Sequence, residues 1–210
     1  MKKPSALMCS LLFSLLLVLG VSLPAQAATA LSIRFPTVFD KLNPSTVGWE
    51  FTVNTPVFVT ALGVYDSIGD GLVNSHQVAI WTTGQDLVAS TTVPAGTSTP
   101  IIDRFRYQNV FNATLSPGVG YRIGGEVAGN ADFLVVSAAS FTTDSRINLT
   151  QDDVYKISSP FGYPDQIFAN PDIEYLTVNF QFENVPIPAA VWLFGTGLVG
   201  LVGFRRRFRK

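Results

Sequence analysis

In the middle of the chain, short runs rich in β-branched and aromatic residues follow one another, each closed by turn formers, and that spacing admits little but strands. The runs are LSIRF, VGWEFTV, VFVTALGVY, QVAIWT, LVASTTV, RFRYQNVF, YRIGGEV, FLVVS and EYLTVNFQF. No amphipathic helix of convincing length lies between them. The expectation is an all-β fold, a β-sandwich or jelly-roll-like domain.

Alternation predicts which side of each run faces inward, because successive side chains on a strand point to opposite faces. Trp49, Phe51 and Val53 alternate with Glu50 and Thr52. In the last run Leu176, Val178, Phe180 and Phe182 form an apolar side, which leaves Thr177, Asn179 and Gln181 for a wet one. VFVTALGVY differs: Val57, Val59 and Ala61 oppose Phe58, Leu62 and Val64, so both sides are largely apolar and a central strand covered on two faces is predicted. Pro56, Pro94, Pro100, Pro117, Pro160, Pro164 and Pro171 fall between runs, where a missing N–H costs nothing.

Two apolar stretches bracket this β body. At the start, Lys2 and Lys3, the apolar run Leu11 to Leu19 and the small residues Ala25 and Ala27 before a cut at Ala28 make up a secretory signal, residues 1–27. Near the end, Ile187 to Phe204 is uncharged and, as a helix, would extend about 27 Å, the thickness of a hydrocarbon core. Trp192 stands near one edge of this transmembrane helix, and Arg205, Arg206, Arg207, Arg209 and Lys210 follow the other, which holds that side in the cytoplasm. Gly195, Gly197 and Gly200 spell GxGxxG, but a dinucleotide fingerprint needs a separate strand before it and an acid about 20 residues on. Here Ala189 to Phe194 belongs to the same apolar run, and no acid follows Gly200. Export and retention together place residues 28–184 outside the cytoplasm, on the far side of the inner membrane, with ENVPIPA as a short stiff spacer.

The whole-chain charge of −1 conceals a lopsided distribution. Two of the 14 Lys and Arg precede the cut and five form the tail, so the exported part sets seven cations against all 15 acids, a balance of about −8. Such a surface repels phosphate, which argues against nucleic acid as a partner. The single cysteine, Cys9, lies in the signal segment, so the exported part has neither a disulfide framework nor a thiol nucleophile.

With these residues in view, the C-terminus from Val185 to Gly195, VPIPAAVWLFG, followed by its arginines, resembles the tripartite sorting signal of PEP-CTERM proteins, in the VPxPAAVWLFGxGL variant. The resemblance implies a sorting motif at Val185, Pro186, Pro188 and Ala189, read after passage through the Sec export machinery by an exosortase-type processing enzyme. It further implies cleavage near the prolines and transfer to the cell surface or an extracellular polysaccharide matrix. A second stretch, roughly Val47 to Val127, with GVYD, GDGL, SHQVAIW and VPAGT, is similar to an uncharacterised β-rich domain of such exported bacterial proteins. That likeness implies a fold and a location, and brings no ligand or reaction.

Three places carry side chains suited to chemistry. Asp66, Asp70 and Gly71 in YDSIGDGL are spaced like the opening of a calcium loop, which makes calcium the one cofactor the sequence raises. Ile68 stands where a third oxygen belongs and no glutamate closes the loop, so it is not an EF-hand, and a turn-rich connection between strands accounts for the same residues. His76 is the only histidine, which removes His/His metal pairs and all but one route to a Ser/His/Asp triad. Asp66 or Asp70 could orient it, while a structural histidine bonded to its own loop is the simpler account. No spacing of acids picks out a glycosidase pair. In SSPFGYPDQIFANPD, Phe161, Tyr163 and Phe168 sit among prolines, as rings that hold sugars do in β-sandwich modules, or as rings that cap one end of the sandwich. The expectation is a non-catalytic, surface- or matrix-associated protein; the alternative is a carbohydrate-binding module, with calcium assistance.

Overall fold

Residues 27–39, 45–127, 132, 134–168 and 173–185 are described by the computed structural model, and among them every regular element is a strand. Ala25, Pro186, Pro188, Ala189, the apolar run 187–204 and the basic cluster Arg205, Arg206, Arg207, Arg209 and Lys210 lie outside the described residues. The strands are β1 (Ala28–Thr29), β2 (Leu31–Phe39), β3 (Thr46–Val53), β4 (Val57–Tyr65), β5 (His76–Thr82), β6 (Leu87–Val93), β7 (Ile101–Ile102), β8 (Phe105–Leu115), β9 (Gly120–Glu126), β10 (Leu134–Thr143), β11 (Ile147–Lys156), β12 (Gln166–Ile167) and β13 (Val178–Asn184). They form a five-stranded sheet in the order β1-β13-β4-β8-β7, a six-stranded sheet in the order β12-β11-β3-β9-β5-β6, and a two-stranded ribbon of β10 and β2, with neighbours antiparallel throughout. The all-β expectation holds, as packed sheets.

The two large sheets face each other through the side chains that alternation assigned to the core. Phe180 of β13 stacks on Trp49 and Phe51 of β3, with ring centroids 5.9 and 5.0 Å apart, and the Trp49 indole donates to the Val178 carbonyl at 2.8 Å. Each of these rings is fully buried, worth about 1.5–3 kcal/mol apiece in area removed from water. The indole N–H finds a partner across the interface, so burying it leaves no donor stranded.

β4 is central, as its two apolar sides predict: it lies between β13 and β8. The predicted grouping of its residues does not hold, because a register shift between Val59 and Ala61 turns Leu62 and Val64 to the other sheet with Val57 and Val59 and sends Ala61 outward with Gly63 and Tyr65. Opposite them on β8, Phe105 and Tyr107 also point outward, and Tyr107 lies across Gly63 so closely that a Cβ there would come within 2.6 Å of its ring. These outward rings are nonetheless buried, because the ribbon β2–β10 crosses over them as a third layer.

That layer corrects the expectation of a wet face on the last strand. Asn179 is wholly buried and its amide takes both backbone groups of Leu31, accepting from the N–H at 3.1 Å and donating to the carbonyl at 2.7 Å. The Thr177 hydroxyl does the same for Val135, at 3.0 and 3.3 Å. Only Gln181 stays half-exposed. β11 is a second difference: INLTQDDVYK is acid-rich and twice irregular in register against β3, and its alternation is too broken to read as a strand.

The path of the chain gives the sandwich two distinct ends. Ala28 pairs with Phe182, and Asn184 with Val57, so the first and last strands meet at one end, beside the turns at 54–56, 116–119 and 144–146. The loops 66–75 and 94–100 and the Asp103–Arg104 turn sit at the other.

Candidate functional site

The loop after β4 is built on one carboxylate. Asp66 is buried, and its oxygens accept from the backbone N–H groups of Gly69 at 2.8 Å and Gly71 at 3.0 Å and from Arg106 Nε at 2.6 Å. Gly71, at φ 116°, takes a backbone shape that L side chains rarely adopt, which is what lets the loop turn back on the carboxylate. Arg106 alternates with Phe105 and Tyr107 and so points between the two large sheets, where its other nitrogens donate to the carbonyls of Thr99 and Gly69, each at 3.1 Å. One buried ion pair thus ties two loops to the end of the core. Asp70 is exposed. Asp66, Asp70 and Asp132 border a recess of about 110 Å³, yet no group of three metal-ligating side chains able to hold an ion occurs among the described residues.

His76 opens β5 and is buried. Its partner is neither Asp66 nor Asp70 but Asp132, 56 residues away, at 2.9 Å from Nε2; Nδ1 lies 2.8 Å from the Glu126 carbonyl. Both contacts are hydrogen bonds at once only if a proton lies between Nε2 and the carboxylate in addition to the one on Nδ1. Asp132 also accepts from the N–H groups of Val73 at 2.7 Å and Asn74 at 3.0 Å. The arrangement clasps the loop before β5 to the segment after β9. Ser75, the neighbouring hydroxyl, is exposed. No sequence signal links His76 to Asp132, since their contact depends on the ends of two non-adjacent connections.

The aromatic segment after β11 does not cap an end of the sandwich. It runs over the outer face of the six-stranded sheet, where Glu50, Arg122 and Trp81 stand in register across β3, β9 and β5. Phe161 and Tyr163 pack on Trp81 at 5.6 and 6.1 Å, Arg122 lies 5.2 Å from the Tyr163 ring centre, and the Tyr163 hydroxyl donates to the Thr83 carbonyl at 3.3 Å. Arg122 also pairs with Glu50 at 2.7 Å and donates to the Pro164 carbonyl at 2.6 Å. Burial pushes the Tyr163 phenol above its ordinary range, against the opposing pull of Arg122. Phe168 sits apart from that pair, against Tyr155 and Tyr175 at 5.9 and 6.4 Å. The rings are thus occupied with the protein itself, in two separate clusters.

A larger feature carries no sequence signal at all. A cleft of about 710 Å³ lies between β2 and the β7–β8 turn, lined by Ser32, Arg34, Asp103 and Arg104 with Ile33, Ile68 and Ile101. It exists because the ribbon crosses the five-stranded sheet, a packing decision that alternation cannot foretell. No protein-family model matches the chain, and no curated protein matches it.

Proposed function

We propose that the chain is an exported, surface- or matrix-associated protein without catalytic activity, a β-sandwich of jelly-roll-like form delivered by its signal segment and sorted through residues 185–210. The observation that carries this reading is the meeting of Ala28 with Phe182 and of Asn184 with Val57 at one end of the sandwich. The expected cut after Ala27 and the departure of the chain at Val185 then fall side by side. A body hung from a bilayer at that end turns its opposite loops outward, and no linker is needed.

Absence of catalysis finds support in how the reactive side chains are spent. Asp66 is matched with Arg106, His76 with Asp132 and Glu50 with Arg122, each in a contact that fixes a loop or a face. The alternative, a carbohydrate-binding module built on Phe161, Tyr163 and Phe168, is less well supported, since those rings pack on Trp81, Tyr155 and Tyr175. Intact-mass measurement on protein recovered from cells and from medium tests the proposal. The expected products begin at Ala28 and, after sorting, end near Pro188, with the shorter form lost when the host's exosortase is deleted. A full-length chain, uncut and free in the cytosol, would sink it.

A further inference from the structure

The cations of the described residues are unevenly occupied. Arg106, Arg122 and Arg146 each pair with an acid, and Lys156 donates to the carbonyls of Ser158 and Pro160. Among the described residues, Arg34 and Arg104 alone have no carboxylate partner and no such pair of carbonyls, and both line the cleft between β2 and the β7–β8 turn. In a body whose net charge is strongly negative, that concentrates unpaired positive charge at one place.

The backbone adds a second, independent mark. Asp103 and Arg104 make the two-residue turn of the β7–β8 hairpin, with φ 50° and 68°, so both stand in the left-handed region. Such a turn favours Asn-Gly or Asp-Gly, and holding a long side chain at its second position costs about 1 kcal/mol that glycine would not. The Arg104 side chain makes one described hydrogen bond, from Nη1 to the Ser67 carbonyl at 3.0 Å. Its guanidinium keeps further donors for a ligand.

We propose that this cleft binds a carboxylate-bearing sugar, with Arg34 and Arg104 holding the carboxylate and Asp103 accepting from a ring hydroxyl. The lining selects this class. Two guanidiniums suit one carboxylate through paired, charge-assisted bonds. Asp103 in the same wall accepts from a ring hydroxyl, which a polycarboxylate peptide does not offer, and the Ser32 hydroxyl serves a second polar group. Ile68 and Ile101, 67 % and 41 % exposed, offer apolar cover for the C–H side of a ring. The volume, about 710 Å³, is that of a site for a short oligosaccharide rather than a single ion. The inference does not rest on the route by which the protein leaves the cell.

The test is calorimetric titration of the full chain in detergent with trigalacturonate, neutral galactotriose and tetraglutamate. Trigalacturonate binds and the other two do not, and raising salt from about 50 to about 500 mM weakens the binding through screening of an exposed charge pair. Arg34→Gln and Arg104→Gly each weaken it about tenfold or more, the worth of a charge-assisted hydrogen bond. Arg104→Gly removes the side chain while easing the turn, and Arg34 is exposed, so both variants retain their thermal transition. Four outcomes overturn the proposal: no heat with trigalacturonate up to about 10 mM, equal binding of the neutral sugar, equal binding of tetraglutamate, or unchanged affinity in Arg34→Gln.

Discussion

Asn179 stands in for a strand: its amide meets both the N–H and the carbonyl of Leu31, at the point where the chain leaves the five-stranded sheet to become the ribbon. Thr177 repeats the device on Val135, two residues earlier on the same side of the chain. A two-stranded ribbon is marginal alone. Here each of its strands is fixed by one side chain of the sheet below, and the cleft between β2 and the β7–β8 turn depends on that fixing.

Asn179→Ala is therefore expected to destabilise by about 2–4 kcal/mol, since it strands a buried donor and a buried acceptor on Leu31. Urea unfolding measures the loss. Limited proteolysis should cut first within 31–39 or 134–143, because the ribbon comes away before the sandwich opens. A variant with unaltered midpoint and cleavage pattern would show that the ribbon is held by its apolar contacts alone.

Asp66→Asn tests the buried ion pair in the loop after β4. The carboxylate accepts from Gly69, Gly71 and Arg106, and an amide offers only one oxygen to three donors while aiming its NH₂ at another donor. Breaking a buried pair on one side costs about 3–5 kcal/mol, or a fall in melting temperature of about 10 °C for a domain of this size. Calcium should leave the melting temperature of the parent protein unchanged, because the Asp66 oxygens are already engaged. A rise with calcium would reassign the loop as a metal site.

Arg146 grips Asp144 with two prongs, Nε to Oδ1 at 2.8 Å and Nη2 to Oδ2 at 2.9 Å, and that bond holds the carboxyl below its ordinary range, with burial working against it. A carboxyl lowered by folding adds stability above its unfolded value of about 4, and loses it as pH falls through the folded one. The stability gap between the parent and Asp144→Asn should thus be about 1 kcal/mol near neutral pH, as suits a partly exposed pair, and shrink on acidification. Urea titrations at several pH values read it. A gap that stays constant would assign the effect to lost packing.

The large sheets were legible because their signal is local. Trp49, Phe51 and Val53 alternate with polar neighbours, and VFVTALGVY shows two apolar sides because both are covered. The third layer was not, because polar Asn179 and Thr177 are buried to serve another strand's backbone, and a pattern of apolar and polar residues reads them as wet. A lone His76 reads from the sequence as structural, but its partner Asp132 lies 56 residues on and no periodicity points to it. The rings Phe161 and Tyr163 were visible as a cluster, whereas the in-register row Glu50, Arg122 and Trp81 that draws them over the sheet is assembled from three separate strands. The cleft needs all layers in place before it exists, so none of its residues stands out beforehand.

Spacing between the two large sheets is set in part by Gly125. A Cβ built there would lie 2.3 Å from Val178 Cγ1, nearer than any real contact allows, with β9 and β13 each held by neighbours. Gly125→Ala is expected to cost about 1–3 kcal/mol through overpacking. Val178→Ala alone should cost a similar amount through the opposite fault, a cavity beside Gly125. The double variant is the decisive measurement: the new methyl fills the space the valine vacates, so its loss should fall short of the sum of the two by at least about 1 kcal/mol. Strict additivity in chemical denaturation would mean that the sheets shift apart to accept the methyl, and that this contact does not fix their distance.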